Sequence, residues 1–198
     1  GAGTGVLTMT GGSVTSDSGR VGRAGGGVGT ATISGGTWAS GSRLIVGDFG
    51  TGALSVTGGR VTGTVGQVGS WFGSRGTVTV SGGTWATSSE LVVGLSGNGE
   101  LNIMGGVVTN AAGVLGKFSV GMGTATISSG TWATSGNLTV GIDGTGLLAM
   151  SGGLVTVGGT LSNGASGFIS LYPGGTLQIG TGATAGVLAV NSLTNNGT

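Results

Sequence analysis

The chain has 198 residues, 52 of them Gly, with one Pro, no Cys, no His, and six basic against five acidic side chains for a net charge of +1. That excludes a disulfide framework, thiol chemistry and zinc sites built from His or Cys. Six scattered basic residues make no phosphate-binding stripe, so nucleic acid is not an expected partner.

The apolar share of 37% is enough to fill a core, and Gly without a Gly-X-Y period is not collagen. From the N-terminus, residues 5–14 read GVLTMTGGSV and residues 29–38 read GTATISGGTW. The two forms then alternate: GALSVTGGRV at 52–61, GTVTVSGGTW at 76–85, GELNIMGGVV at 99–108, GTATISSGTW at 123–132 and GLLAMSGGLV at 146–155. The steps from Gly5 to Gly146 are 24, 23, 24, 23, 24 and 23 residues, so two unequal turns make a 47-residue unit.

Within a turn, segments such as ATI, VTV and LNI alternate apolar and polar at the period of a strand. A Gly-Gly or Ser-Gly corner follows, where a positive φ is cheap for Gly. A short piece such as TWAS leads to a second apolar run, LIVG at 44–47, LVVG at 91–94 and LTVG at 138–141. A Gly-rich loop returns to the next turn. The expected fold is all-β: a three-sided, right-handed parallel β-helix of 23–24 residues per turn and about eight turns. Equivalent strands should pair ~4.8 Å apart.

Stacking equivalent positions predicts the interior. One column is Leu7, Ala31, Leu54, Val78, Leu101, Ala125 and Leu148; the next is Met9, Ile33, Val56, Val80, Ile103, Ile127 and Met150. A third alternates Val14, Trp38, Val61, Trp85, Val108, Trp132 and Val155, which makes the repeat 47 residues long. The rival reading, an exposed Trp strip for stacking on sugars, is disfavoured by the Val partners. Tight interior packing suits Trp and Val on successive levels.

Beyond residue 160 the pattern loosens. Residues 167–177 (GFISLYPGGTL) hold the only Pro, 186–193 (GVLAVNSL) begin another turn, and 191–198 (NSLTNNGT) have an Asn-rich corner character. Residues 1–198 are read as one solenoid segment, regular over 1–160 and irregular over 161–198. Neither end reads as a polar cap, so the chain is expected to be an excerpt of a longer protein or a subunit whose ends meet other copies. No apolar run approaches the ~18 residues of a membrane-spanning helix.

The motif G-T-[AV]-T-[IV]-S-G-G-T-W, then L-x-V-G, then G-x-G-x-L-x-[IVM]-x-G-G-x-V, resembles the repeat of autotransporter (type V secretion) passengers and of some PEP-CTERM-associated exported proteins. The resemblance covers about residues 1–160. It implies a β-helix exported by a Gram-negative bacterium, at its surface or secreted, and passengers of this kind are commonly adhesins, aggregation factors or stalks.

Reactive groups do not converge in the sequence. The carboxylates are Asp17, Asp48, Glu90, Glu100 and Asp143. Asp48 and Asp143 fall four turns apart, ~19 Å at strand spacing, too far for a glycosidase pair at ~5–9.5 Å. Lys117 is the only lysine, and without His no base activates a Ser or Thr. Aspartates at GDFGTG (47–52) and IDGTG (142–146) do not recur in every turn, so calcium shells would be oxygen-poor and Asp is read as corner chemistry. Thr30/Thr32, Thr77/Thr79 and Thr124/Thr126 recur only on alternate turns, which breaks an ice-binding lattice.

No catalytic, cofactor-binding or metal residue is therefore assigned. The candidate contact is the loop 70–75 (SWFGSR), with Trp71, Phe72 and Arg75; its counterparts are 23–28 (RAGGGV) and 117–122 (KFSVGM). Its aromatics either cover a corner of the coil or make a contact with another molecule. The expected function is a non-enzymatic adhesin, aggregation rod or stalk. Its expected partners are further copies of itself or a ligand on a host or neighbouring cell. The alternative is a structural subunit of an extracellular filament or sheath.

Overall fold

The computed structural model describes residues 2–181, 184–191 and 193–196. Gly1, Gly182, Ala183, Ser192, Gly197 and Thr198 lie outside the described residues, so the Asn-rich corner expected at 191–198 is described only in part. The described residues are all-β, and parallel sheets stack them into a β-solenoid of about eight turns.

Three strand positions recur in each turn. The first face holds Thr51–Val56, Arg75–Val80, Thr145–Met150 and Gly167–Leu171, together with the leading halves of four 13-residue strands. Those long strands are Thr4–Ser16, Val28–Ser40, Asn98–Asn110 and Met122–Thr134. Their trailing halves pair on the second face with Arg60–Gly63, Thr84–Thr87 and Leu154–Val157. A separate eight-stranded sheet, from Gly19–Val21 to Val187–Ala189, makes the third face.

In three turns the Gly-Gly corner breaks the strand as expected, between Thr51–Val56 and Arg60–Gly63, Arg75–Val80 and Thr84–Thr87, and Thr145–Met150 and Leu154–Val157. In the four long strands it is a bulge, with the register shifting at Met9/Thr10/Ser13 and at Ile103/Met104/Val107 while the ladder continues. The second residue of the pair, for example Gly36 at φ 76° or Gly106 at φ 64°, takes the left-handed conformation that bends the strand without ending it. The first two faces are therefore one folded sheet.

The inner columns stack as equivalent positions do. Leu7 pairs with Ala31, Ala31 with Leu54, and Leu54 with Val78. Trp38 pairs with Val14 and Val61, Trp85 with Val61 and Val108, and Trp132 with Val108 and Val155. All three indoles are buried, as are Val61, Val108 and Val155; Val14 is half-buried in the first turn.

A further column explains how so large a ring fits on every second level. On the third face Leu44 lies between Gly19 and Gly66, Leu91 between Gly66 and Gly113, and Leu138 next to Gly113. Each of those glycines leaves room for an indole. A Cβ on Gly19 would sit 2.7 Å from Trp38 Cζ2, and one on Gly66 would sit 2.9 Å from Trp85 Cζ2 and from Leu91 Cδ1. At Gly113 it would lie 2.8 Å from Leu138 Cδ1 and 3.2 Å from Trp132 Cζ2. Each indole thus leans over the glycine of the turn before it. In the next Val turn Leu161 occupies the glycine position, and the turn after it carries Leu177 where a Trp would fall. Leu161 fills the volume that a missing indole leaves open.

Past residue 160 the ladders persist in looser form. Gly167–Leu171 pairs with Thr145–Met150, Thr176–Thr181 with Leu154–Val157, and Val187–Ala189 with Thr160–Asn163. Thr176–Thr181 also forms a short antiparallel pair with Thr184–Ala185.

One inward position of the second face is polar. It runs Ser16, Ser40, Gly63, Thr87, Asn110 and Thr134, and turns apolar at Val157 and Ile179. Trp132 Nε1 donates to Asn110 Oδ1 at 2.6 Å, and Asn110 Nδ2 donates to Thr134 Oγ1 at 3.2 Å. The Nε1 atoms of Trp38 and Trp85 find no acceptor among the described residues. The position one turn before Trp85 that corresponds to Asn110 is Gly63, where a Cβ meets nothing closer than 3.7 Å. Asn110→Ala should lower stability by about 1–3 kcal/mol because it leaves a buried donor unmet, and Gly63→Asn should raise it by about 0.5–1.5 kcal/mol. Chemical denaturation of the two variants checks both signs.

Candidate functional site, an edge of alternating loops

At the third corner the chain leaves the coil through a glycine with positive φ and returns through a buried glycine. Gly69 (φ 70°) and Gly76 form one such neck. A Cβ on Gly76 would run into the carbonyl oxygen of Val46 and crowd the amide of Gly69, so only glycine allows the two passes of backbone to approach. The necks hold the core closed while the loops between them vary. Six residues lie in the loops 23–28, 70–75 and 117–122, and four in the loops 48–51, 95–98 and 142–145. Long and short loops therefore alternate along one edge of the solenoid.

Loop 70–75 is ordered by its own bonds. Trp71 N donates to Ser74 Oγ at 3.1 Å and Ser74 N to Trp71 O at 2.9 Å, around Gly73 at φ 78°. Trp71 N also donates to Asp48 O of the preceding turn at 3.1 Å. The Trp71 ring stacks on Phe49, with centroids 5.0 Å apart and planes 16° apart. Trp71 remains 55% exposed and Phe72 79% exposed, so neither covers the core. Arg75, at the end of the loop, is exposed and has no carboxylate within ion-pairing distance among the described residues. Phe118, Met122 and Ile142 continue the exposed apolar character along the same edge.

Two ion pairs brace this edge. Lys117 Nζ donates to Glu90 Oε1 at 2.8 Å and to Oε2 at 2.9 Å. Arg20 Nη1 donates to Asp48 Oδ2 at 2.6 Å, and Asp48 is 1% exposed. Asp48 is thus more than the corner residue that its sequence context suggested. It is a buried carboxylate paired across successive turns, and losing the arginine would strand its charge.

The sequence singled out Trp71, Phe72 and Arg75, and the structure places all three on one loop. Phe49, on the loop before, was legible only as a corner aromatic, and its stack on Trp71 was missed, as was Met122 on the loop two turns on. The signal was the difference in loop length between necks, which shows which loops are neighbours along the edge. Trp38, Trp85 and Trp132, with Val14, Val61, Val108 and Val155, lie away from this edge in the inner column. Among the described residues no group of three His, Cys, Asp or Glu side chains comes together. What the edge offers is aromatic faces, a thioether and a guanidinium, all groups that act by contact and hydrogen bonding. Comparison of the chain with family models, with curated proteins and with solved structures finds no match.

The stack and the free ring should separate in mutagenesis. Phe72→Ser should change stability by less than about 0.5 kcal/mol, as for other exposed sites. Trp71→Ser should cost about 0.5–1.5 kcal/mol through loss of the aromatic pair. Thermal unfolding of the two variants measures the difference.

Proposed function

We propose that this chain is a non-enzymatic β-helical rod, of the autotransporter-passenger kind, which is displayed at or released from a bacterial surface and adheres through its loop edge. The observation that carries this reading is Phe72 beside Trp71, both exposed on a loop that is fixed by its own hydrogen bonds. Neighbouring exposed aromatics cost solubility unless something covers them. A loop whose backbone is already ordered loses little entropy when it is covered.

The rest of the chain supports a scaffold. Successive turns are joined by parallel ladders on three faces around one continuous apolar column, so loops can differ without disturbing the coil. The low net charge sets up little repulsion between rods lying side by side. Self-association, adhesion to another cell and spacing of a distant domain are all uses of such a rod, and the aromatic loop favours the first two.

Expression on the surface of a non-adherent Gram-negative strain tests this. The rod should increase settling of the cells, and the double variant Trp71→Ser, Phe72→Ser should reduce settling at unchanged surface density. Equal settling by the variant, together with a lower melting temperature, would assign the aromatics to stability alone and count against the reading.

A further inference from the structure

The alternation of loop lengths recesses every second loop between two longer neighbours. Loop 48–51 lies between loops 23–28 and 70–75, and Phe49 lies there against Trp71. Loop 95–98 lies between loops 70–75 and 117–122, but its residue two past the neck is Ser96, not an aromatic. Gly97 packs against the backbone of Trp71 and Ser74 and adds no side chain. Next to this edge, where the first-face strands Arg75–Val80, Asn98–Asn110 and Met122–Thr134 begin side by side, lies a notch of about 210 Å³, lined by Arg75, Asn98, Glu100, Met122 and Thr124 over the backbone of Gly76 and Gly99.

Its lining is unusual for a plain surface dimple. Arg75 and Glu100 both face the notch, yet they are not within ion-pairing distance of each other. Asn102 Nδ2 donates to Glu100 Oε1 at 2.9 Å and fixes that carboxylate, leaving its other oxygen open. Asn98 adds an amide, which both donates and accepts, and Thr124 a hydroxyl, which does the same. Met122, 53% exposed, supplies the one apolar wall.

A ligand that satisfies this set must accept from the guanidinium and donate to the carboxylate within one compact body. Vicinal hydroxyls do both, and the C–H face of a sugar ring suits the thioether wall. A lone anion would meet Glu100 and a lone cation would meet Arg75, so the balance of charge favours a neutral ligand. An extended peptide strand is disfavoured because the first-face strands beneath are already paired on both sides. The volume lies below the ~300–1,000 Å³ of typical small-molecule pockets, so there is room for one ring, not an oligomer.

We propose that this notch is a binding site for a single neutral saccharide unit, such as the exposed terminal residue or branch of a cell-surface glycan. The inference rests on the adhesive-rod reading and names the chemistry of its partner. One shallow site binds weakly, and many rods on one cell would multiply it by avidity.

The test uses the purified chain and methyl glycosides of neutral hexoses, N-acetylhexosamines and hexuronates, followed by saturation-transfer NMR. At least one neutral glycoside should bind with an affinity that is insensitive to salt. Arg75→Ala and Glu100→Gln, both changes at residues outside the core, should each weaken it at least about tenfold, as expected for hydrogen bonds to charged groups. Their melting temperatures should match that of the unchanged chain.

No binding by any glycoside at tens of millimolar overturns the proposal, as does binding that both variants retain. Binding confined to charged uronate glycosides and abolished by salt also overturns it, since simple attraction to Arg75 would then suffice. Cells that settle through Trp71 and Phe72 while no glycoside binds would sink the notch and leave the adhesive edge standing. Glycosides that bind while settling ignores Trp71 and Phe72 would do the reverse.

Discussion

The packing of an indole over a glycine one turn away is the constraint on which the rest of this solenoid depends. A single-turn repeat would place the same side chain at every ~4.8 Å level, and a column made only of Trp could not close. Trp38, Trp85 and Trp132 instead share their column with Val, and each lies over Gly19, Gly66 or Gly113 of the turn before. Leu44, Leu91 and Leu138 then fill the third-face position on the Trp levels. Trp and Leu thus fall together on one level and Val and Gly on the next, and each indole fills the space that the glycine level leaves open.

The same two-turn alternation is visible on the outside. Two kinds of loop alternate along one edge, with six residues between the neck glycines and then four. The glycine necks isolate the loops from the ladders, so Phe49, Trp71 and Phe72 can be placed on the edge with little effect on the core. The short loop at 95–98 becomes a recess because its neighbours are long. The variable loops thereby supply the proposed contact edge, while the proposed notch lies beside it at the starts of the first-face strands.

Much of the fold was legible in the sequence because parallel stacking makes equivalent residues neighbours in space. A 23–24-residue step gives the register directly, and the three inner columns follow from it. The glycine at Gly19, Gly66 and Gly113 was harder to see. The reason is a change of spacing: Trp38 to Leu44 is six residues, whereas Val61 to Gly66 is five, so a fixed offset slips past the pairing. The Gly-Gly corner is the expected break in three turns but a bulge in the four long strands, since Gly is common in both turns and bulges and only the register distinguishes them. Asp48 looked like a turn residue because its partner, Arg20, lies 28 positions earlier and only the stacking of turns brings the two together. Of the site, loop 70–75 with Trp71, Phe72 and Arg75 was visible because it alone sets two aromatics side by side. The notch was not, since Asn98, Glu100 and Met122 are ordinary residues until the stacking of first-face strands sets them beside Arg75 and Thr124.

The most direct test of the indole-over-glycine account is a double-mutant cycle between Trp132 and Gly113. Trp132→Leu and Gly113→Leu each destabilise on their own, one by opening a cavity and the other by crowding the ring. Together they recreate the pairing that the chain itself uses at Leu161 and Leu177. The account predicts a coupling of more than about 1 kcal/mol in favour of the double variant in chemical denaturation, whereas additivity within about 0.5 kcal/mol would contradict it.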